Sequence, residues 1–529
     1  MTLLQHTVRY QAERRPEAVA IAFYQQSVTY GELEIGSNRL ARLLKAAGCQ
    51  SGDRVGLLLP KSIPALIGML GAVKAGCIYV PMDTASPAAR LAKIVDVCEP
   101  RCILVAGATG KLLEVLLSDV QVRKSVRIGW LEPGRPAEAG FEIAFSWDDL
   151  SSAPASAVVC RTRSEDAAHI LFTSGSTGVP KGVVITHDNV MHFLTWAVRY
   201  FGTTASDRIS CHSPLHFDLS TFDIWGTFLA GGELHLMPPE ISLMPHTMAE
   251  FIRRCRLTQW FSVPSALRYM AQFDVVRYND FPSLKRLLWC GERLPTPTLI
   301  YWMKRLPAVA FTNLYGPTET TIASSYYTVP FCPENENSEI PVGQACDGEE
   351  MMVLDPALHP VAGGAIGDLY IRGVGLSPGY WRDPPKTESA FFVQAQQGRI
   401  YKTGDLARIG GDGLVYLLGR ADSQIKSRGY RIELGEIETA LHAAGGLQEC
   451  AVVAVASESF EGMAICCAYV PPRGMDLSPA DLRQRLTEVL PPYMVPSLWL
   501  ALEALPLNTN GKIDRPRLTE HFLEARALV

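Results

Sequence analysis

The segment TSGSTGVPKG (Thr173–Gly182) carries the residue types that bind phosphate. Its glycines let backbone N–H groups turn toward an anion, its four hydroxyl residues add donors, and Lys181 adds a positive charge. The spacing differs from the Walker A pattern, because Pro180 precedes the lysine and Gly182 follows it. The segment predicts a phosphate-binding loop; the alternative interpretation is a flexible Gly/Ser loop.

Three further segments carry weaker signals. NLYGPTETTIA offers Tyr315 for stacking on a base and Glu319 for a divalent cation beside phosphates. YKTGD ends on Asp405, whose carboxylate can accept ribose hydroxyls, and NTNGKIDR presents Lys512 after an Asn-Gly turn. Taken singly, these are ordinary turns and an exposed lysine. Together with the glycine-rich segment they indicate an ATP site that a late, mobile lysine completes.

The elements that must position these residues alternate between helix and strand, which predicts a largely parallel sheet covered by helices. We expect Pro133–Pro154 to be surface loop, because it is rich in Pro, Ala, Gly and Glu. The expected helices are Tyr30–Ala47 and Ile63–Ala75, and the expected strands are Arg54–Leu59, Cys102–Ala106 and His169–Phe172.

The last hundred residues form a separate pattern. Two strands and a helix predicted between residues 449 and 490 favour a small α+β domain, with Cys466 and Cys467 facing opposite sides of a sheet. The charged segment before it, GRADSQIKSRGYRIELGEIE, is a hinge candidate at Asp422, although a solvated loop is the alternative. The expected fold is therefore α/β: a large N-terminal domain of helix-covered sheets (1–421) binding ATP and amino acid, and a small mobile α+β lid (422–529) carrying Lys512.

Composition excludes several classes of protein. In 529 residues, 47% are hydrophobic and 19% charged, which excludes a disordered chain and predicts two to four domains. The net charge of −5 without a long basic run argues against a nucleic-acid partner, and no apolar stretch is long enough to span a membrane. The N-terminus lacks a signal-peptide pattern, and the thirteen cysteines contain no CxxC pair. We expect reduced thiols in a cytoplasmic protein.

Six or more ordered motifs, from VTYGEL and YVPMD through NTNGKIDR, resemble the AMP-forming adenylate-forming superfamily of acyl-CoA synthetases, luciferases and nonribosomal peptide synthetase adenylation domains. The resemblance covers nearly the whole chain. YGPTETT, YKTGDLAR and PPYMVPS are most similar to amino-acid adenylation domains. The resemblance implies an ATP- and Mg²⁺-dependent ligase of natural-product biosynthesis that forms an aminoacyl adenylate and then a thioester. Because no phosphopantetheine-attachment or condensation motif is found, we expect the acceptor to be a separate carrier protein.

The resemblance also implies the roles of individual residues. Lys512 would bridge the carboxylate and the α-phosphate, with Lys181 as a second catalytic lysine. Glu319 would hold Mg²⁺, and Asp422 would be the hinge. The implied ATP- and AMP-binding residues are Thr173, Ser174, Gly175, Ser176, Thr177, Gly178, Lys181, Gly291, Asn313, Leu314, Tyr315, Gly316, Thr318, Asp405, Arg420 and Lys512.

The segment FDLSTFDIW resembles the place where an aspartate pairs with the substrate α-ammonium. Asp218 stands at that position, and the rival Asp223 does not match. A buried carboxylate without a cation is costly, so Asp218 favours an α-amino acid over a plain acid. The other implied pocket residues are Leu219, Phe222, Ser262, Leu288, Cys290, Leu314, Ile322 and Ala323.

No charged side chain among these pocket residues opposes Asp218. A charged substrate side chain would be left unpaired, so a small, mostly apolar amino acid is expected: alanine first, then proline, serine, cysteine or glycine. Three alternatives stay open. They are a D-alanine–carrier protein ligase, an acyl-CoA synthetase for a non-amino acid, and a non-catalytic homologue that binds nucleotide without turnover.

Overall fold

The computed structural model describes residues 3–118, 126–134, 140–175, 178–394, 398–457, 462–471, 477–508 and 512–527. The chain divides into two compact units. Unit 1 comprises Met1–Thr84, Val95–Phe172 and Gly182–Ala421, and unit 2 comprises Ala85–Ile94, Thr173–Lys181 and Asp422–Val529. Both units mix helices and sheets, which confirms the predicted α/β fold class.

One sheet of unit 1 has eight strands, and most of its neighbouring pairs are parallel. The strand Arg54–Leu58 lies between two parallel neighbours, as expected for a buried apolar strand that helices cover on both faces. In spatial order the strands are Gly379–Tyr380, Lys181–Thr186, Ala167–Thr173, Ile78–Pro81, Arg54–Leu58, Cys102–Val105, Arg127–Trp130 and Phe145–Ser146.

A second sheet of unit 1 has nine strands, of which the inner six, from Ala310–Tyr315 to Val19–Phe23, are parallel. Parallel strands end at a common edge, which is where ligands bind in open α/β sheets. In spatial order the strands are Gln344–Ala345, Ser325–Thr328, Ala310–Tyr315, Arg286–Trp289, Gln259–Ser262, Arg208–Cys211, Glu233–Leu236, Val19–Phe23 and Gln26–Thr29.

A third, antiparallel sheet of unit 1 supplies the Asp405 and Arg420 positions. The strand Gly398–Ile409 pairs with Val415–Arg420 in a register that sets Asp405 opposite Arg420. The other strands of this sheet are Glu349–Leu354, Gly367–Gly373 and Phe391–Gln394.

The helices begin and end at residues with clear local reasons. Ile63–Ala75 begins where the Ser62 hydroxyl accepts from the Ala65 N–H, and it ends at Gly76, whose φ of +80° is left-handed. The other α-helices up to residue 421 are Gln5–Arg14, Tyr30–Ala46, Ala88–Cys98, Gly110–Leu116, Trp147–Ser152, His187–Phe201, Asp218–Thr221, Thr227–Ala230, Pro245–Cys255, Pro264–Gln272, Thr296–Arg305 and Pro384–Ala390. Among the described residues, no helix is long and apolar enough to cross a membrane.

The prediction of a continuous loop over Pro133–Pro154 was wrong. This stretch contains the short strand Phe145–Ser146 and the helix Trp147–Ser152. The Asp149 carboxylate accepts from the Ser146 N–H at 2.8 Å and from the Ser146 hydroxyl at 2.9 Å, which stabilises the start of the helix. Because the flanking Pro, Ala and Gly residues dominate the composition, they masked this local helix signal.

Unit 2 contains a three-stranded sheet, a β-hairpin and helices. Cys466 and Cys467 belong to two different apolar clusters, which confirms that they face opposite sides of the sheet. None of the thirteen cysteines, all within the described ranges, forms a disulfide. The strands are Gln424–Ser427, Tyr430–Glu433, Glu449–Ala456, Met463–Val470 and Leu498–Ala501, and the helices of this part are Leu434–Ala444, Pro479–Thr487 and Arg515–Ala527.

Candidate active site

Unit 1 brings together three of the predicted nucleotide-binding side chains. The Tyr315 hydroxyl donates to one oxygen of Asp405 at 2.6 Å, and the Arg420 guanidinium donates to the other at 2.9 Å. Burial, with the nearby Asp405 carboxylate second, raises the pKa of Tyr315, so the phenol stays protonated and donating. The Asp405 carboxylate is therefore fixed in direction by two donors, Arg420 on the strand paired with its own and Tyr315 from 90 residues earlier in the chain.

Asn313 and Gly291 lie near this cluster in the chain's parallel strands. The Asn313 side-chain amide donates to the Pro341 carbonyl at 2.8 Å. Gly291 follows the strand Arg286–Trp289 by two residues, with a φ of +98° and open space where a side chain would stand. A glycine there allows a flat ring to approach the backbone. Leu314 and Gly316, the neighbours of Tyr315, complete this set of predicted positions.

Glu319, the predicted metal ligand, is completely buried in a short 3-10 turn, Thr318–Thr320. The Tyr380 hydroxyl donates to its Oε1 atom at 2.8 Å, and the Glu319 carbonyl accepts from the Ser377 N–H at 2.9 Å. A buried carboxylate held in one orientation fits a divalent cation that takes its other ligands from a nucleotide, as Mg²⁺ does. Among the described residues, no group of three or more His, Cys, Asp or Glu side chains forms a cation site.

Asp218 stands at the start of a helix that leads into the predicted substrate pocket. Its carboxylate accepts from the Thr318 hydroxyl at 2.9 Å, and the side chain is half-buried. All the other predicted pocket residues are buried, and those with apolar or thiol side chains belong to one cluster: Leu219, Phe222, Leu288, Cys290, Leu314, Ile322 and Ala323. Ser262, also buried, ends the strand Gln259–Ser262.

The predicted pocket residue Ile322 belongs to a pair of strained residues. Thr321 and Ile322 are β-branched, yet their φ angles are +63° and +70°. Such a residue costs roughly 1–3 kcal/mol in the left-handed region and persists only where its surroundings hold it. The Thr321 hydroxyl donates to the Gly375 carbonyl at 2.7 Å, and the Gly375 N–H donates to Glu349 at 2.7 Å. Burial raises the pKa of Glu349 to about 7, against a lowering by that N–H.

Within unit 2, the predicted phosphate loop is held by charged side chains. The Gly175 N–H donates to the Glu436 carboxylate at 3.3 Å, and Glu436 also forms a buried ion pair with Arg90. The Ser174 hydroxyl donates to the Arg431 carbonyl at 2.7 Å. The hydroxyl of Thr173 is buried with no hydrogen-bond partner in the described structure, as expected of a donor kept for a ligand. Ser176 and Thr177 lie outside the described residues.

The remaining loop and lysine positions also belong to unit 2. The Gly178 carbonyl accepts from Lys93 at 2.8 Å, and Lys181 begins the strand Lys181–Thr186. Lys512 is exposed on a short turn, where its N–H and carbonyl bond to the side chain and N–H of Asn508. Asp422 accepts from the Gln424 N–H at 3.1 Å and is the first residue of its segment of unit 2.

Sequence reasoning missed several residues that hold the predicted ones in place. Tyr380, His212 and Glu436 contact Glu319, Ser262 and Gly175 respectively. Each lies 50 or more residues from its partner, so no local spacing could reveal it. Thr318 was predicted to bind ATP, and its hydroxyl contacts Asp218.

Two family models match this chain. The AMP-binding enzyme family matches residues 8–381, and the AMP-binding enzyme C-terminal domain matches residues 436–512. An L-proline–[L-prolyl-carrier protein] ligase of Pseudomonas fluorescens is 34% identical over 97% of this chain and 98% of its own length. One of the linear gramicidin synthase proteins of Brevibacillus parabrevis is 33% identical over 98% of this chain, which spans only 10% of that much longer protein.

Solved structures agree with these matches. The Vibrio cholerae adenylation domain AlmE, in complex with glycyl-adenosine-5'-phosphate, aligns with a TM-score of 0.85 at 25% identity, over 99% of this chain and 98% of that one. A nonribosomal peptide synthetase protein containing adenylation and PCP domains aligns with a TM-score of 0.80 at 26% identity, over 98% and 84%. The predicted family is confirmed: the chain belongs to the AMP-binding enzyme family of adenylate-forming ligases.

Proposed function

We propose that this protein activates a small amino acid with ATP and transfers it to the phosphopantetheine thiol of a separate carrier protein. In the first step a carboxylate oxygen of the amino acid attacks the α-phosphorus of ATP, and pyrophosphate leaves. In the second step the carrier thiol loses its proton, its sulfur attacks the carbonyl carbon, and AMP leaves. The observation that carries this proposal is the half-buried Asp218 carboxylate, which accepts from Thr318 and whose neighbour Leu219 belongs to a buried apolar cluster.

The residues of unit 1 are assigned to the nucleoside and the amino acid. Asp405 accepts the ribose hydroxyls, with Arg420 beside it, while Asn313 and Tyr315 contact the adenine. Asp218 pairs with the α-ammonium, and Thr318 restrains that carboxylate. Such reactions depend on positioning and charge neutralisation more than on covalent help from the protein.

The residues of unit 2 are assigned to the phosphates and the transferred group. The loop Thr173–Lys181 donates backbone and hydroxyl hydrogens to phosphate oxygens, and Lys181 adds a positive charge. Lys512 neutralises the charge that develops between the carboxylate and the α-phosphate, and Asp422 acts as the hinge. Glu319 in unit 1 would hold Mg²⁺, which supplies charge neutralisation at the phosphates when bound.

The substrate proposal follows from the chemistry of the pocket residues. Their side chains are apolar except at Asp218, Ser262 and Cys290, so a charged substrate side chain would lie there unpaired. A small amino acid such as alanine, proline, serine, cysteine or glycine fits this composition. The relative that acts on L-proline and a prolyl carrier protein supports the class of substrate and of acceptor.

Pyrophosphate exchange into ATP tests the first step. The panel contains L- and D-amino acids and plain carboxylic acids, and we expect exchange with one small amino acid. Exchange with only an unaminated acid would overturn the assignment of Asp218 and favour an acyl-CoA synthetase. The stereoisomer that reacts also tests the D-alanine alternative.

The variant Asp218→Ala tests the carboxylate directly. We expect a loss of at least a hundredfold in kcat/KM for the amino acid, because the ammonium loses its charged partner. ATP binding by calorimetry should be unchanged, because Asp405, Arg420 and Asn313 are left in place. The matched control is Asp347→Ala, since Asp347 is an exposed aspartate paired with the exposed Arg199. Unaltered amino-acid activation in Asp218→Ala would remove the argument for an α-amino acid.

A further inference from the structure

Four buried polar side chains of unit 1 belong to one set: Lys61, His212 and Asp223, which have no role assigned above, and Ser262 of the predicted pocket. The Lys61 ammonium donates to the carbonyl of Cys211 at 2.8 Å and to the carbonyl of His212 at 2.6 Å. These carbonyls stand at the end of the strand Arg208–Cys211, next to the strand that ends at Ser262. Lys61 therefore fixes the backbone that carries the His212 ring.

Asp223 is the buried carboxyl group of this set. It lies in the π-helical turn Phe222–Gly226, a type of irregularity often found at functional sites. Burial raises the pKa of Asp223, against lowering by the Lys61 charge and the His212 N–H. Burial also lowers the pKa of Lys61. Lys61 holds the His212 carbonyl, whereas both carboxylate oxygens of Asp223 are buried and have no hydrogen-bond partner among the described residues.

The His212 ring in turn contacts Ser262. Its Nδ1 atom lies 2.9 Å from the Ser262 hydroxyl, and Ser262 is 0% exposed. Burial, with the Lys61 charge second, lowers the pKa of His212 to about 3. The imidazole is therefore neutral at physiological pH, with one N–H and one lone pair. The contact restrains the serine oxygen: its hydroxyl donates to Nδ1 in one tautomer of the ring and accepts from Nδ1–H in the other.

This arrangement is energetically costly compared with apolar packing of the same volume. Burying an ammonium and a carboxyl group is seldom more stabilising than well-packed apolar residues of the same volume. Ser262 is the only hydroxyl among the nine residues assigned to the substrate pocket. The result of the network is one oriented polar atom in a largely apolar wall, and an oriented hydrogen-bonding atom discriminates between substrates better than an apolar wall does.

We propose that His212 is a positioning residue that orients the Ser262 hydroxyl and thereby sets which small side chain the pocket accepts. The proposal rests on the proposed function, because Ser262 must face the amino acid. Lys61 holds the His212 backbone and acts on Ser262 only through His212. Loss of the His212–Ser262 contact should change selectivity among small amino acids while leaving ATP use intact.

Two amide variants of His212 separate this role from simple packing. In His212→Asn the amide can take the place of Nδ1 and keep the contact, whereas in His212→Gln the amide lies farther out, near the place of Nε2. The measurement is kcat/KM in pyrophosphate exchange for the preferred amino acid and for the analogue that differs by one hydroxyl or methyl group. Their quotient is the selectivity ratio, and KM for ATP is recorded alongside.

We expect His212→Gln and Ser262→Ala each to change the selectivity ratio at least fivefold, and His212→Asn to keep it within twofold. The double variant His212→Gln/Ser262→Ala should match the larger single effect, because both changes remove one contact. KM for ATP should stay within twofold throughout. The control His187→Asn changes another buried histidine of unit 1, whose Nδ1 accepts from the Leu4 N–H, and should leave the ratio unchanged.

An unchanged ratio in His212→Gln would overturn the proposal. So would additive effects in the double variant, or an equal loss for every amino acid, which would indicate a packing role. A wild-type protein that exchanges pyrophosphate with no amino acid would overturn the proposed function and this inference with it. The first three results would leave the proposed function standing.

Discussion

The Asp405 cluster of unit 1 (Tyr315, Asp405 and Arg420) and the Lys512 turn of unit 2 are built in opposite ways. In the cluster, a carboxylate is buried and held by two donors that come from separate strands. At the turn, the lysine is exposed, and within the described part of the chain its backbone bonds to Asn508, four residues away. The residues assigned to ATP recognition are thus part of what stabilises the fold, whereas the lysine assigned to chemistry is not. Substitution of Lys512 should lower activity without lowering stability, whereas substitution of Asp405 should lower both.

The largest expected effect on activity comes from Lys512→Ala. We expect the rate of adenylate formation to fall at least a hundredfold, because charge neutralisation in the transition state is lost. The melting temperature should stay within about 1 °C, since substitutions at exposed sites change the free energy of unfolding by about 0.5 kcal/mol or less. Pyrophosphate exchange and differential scanning fluorimetry measure the two quantities. Lys304→Ala, at another exposed lysine, is the matched control.

A Lys512→Ala protein that forms the adenylate at the wild-type rate would contradict the assignment of the lysine. A large drop in its melting temperature would contradict the contrast between the two regions.

Asp405→Asn should lower activity and stability together. The amide keeps the shape of the side chain but loses the charge that holds Arg420, and breaking a buried pair costs about 3–5 kcal/mol when one partner is removed outright. We expect about half of that loss, with KM for ATP raised roughly tenfold. Urea unfolding and ATP titration measure the two effects. An increase in KM without any destabilisation would show that the cluster is not a structural element.

Glu349→Gln should have the smallest effect, visible only in the pH dependence of stability. Burial raises the pKa of Glu349 to about 7, above its ordinary value of 4.5. The native state therefore binds the proton more tightly than the unfolded state, and the stabilisation present below pH 4.5 is lost as the pH rises through 7.

The difference in melting temperature, wild type minus Glu349→Gln, should therefore fall by about 1–2 °C between pH 5 and pH 8. Thermal melts of the two proteins in a pH series provide the measurement. Parallel curves would show that the pKa of Glu349 is not raised in the native state.

Local signals in the sequence predicted much of the fold. The helix Ile63–Ala75 has the predicted bounds, because Ser62 and Gly76 are strong start and stop signals. The strand Cys102–Val105 ends one residue earlier than predicted, a difference that periodicity cannot resolve. The helix Trp147–Ser152 was missed, because its capping residues lie in a stretch whose composition is typical of loops.

The sequence predicted residues of the candidate site only where they belong to a recognised motif. The motifs pointed to Glu319, Asp405 and Asp218, and the structure adds what holds them, including Tyr380, which lies 61 residues from Glu319. Such partners are brought together by sheet order and by loops, and neither can be inferred from spacing along the chain. The left-handed backbone at Thr321 was equally hidden, because threonine is among the residues least suited to it.

That strained pair has a consequence for laboratory evolution of this enzyme. Glycine accepts positive φ without strain, so a library screened only for heat resistance should enrich glycine at 321 or 322. Glycine at 322 would remove the side chain of a predicted pocket residue, and glycine at 321 would remove the hydroxyl that donates to the Gly375 carbonyl. Variants selected for heat resistance would then accept a broader range of amino acids. Melting temperature and the number of amino acids accepted, measured on one set of clones, would rise together.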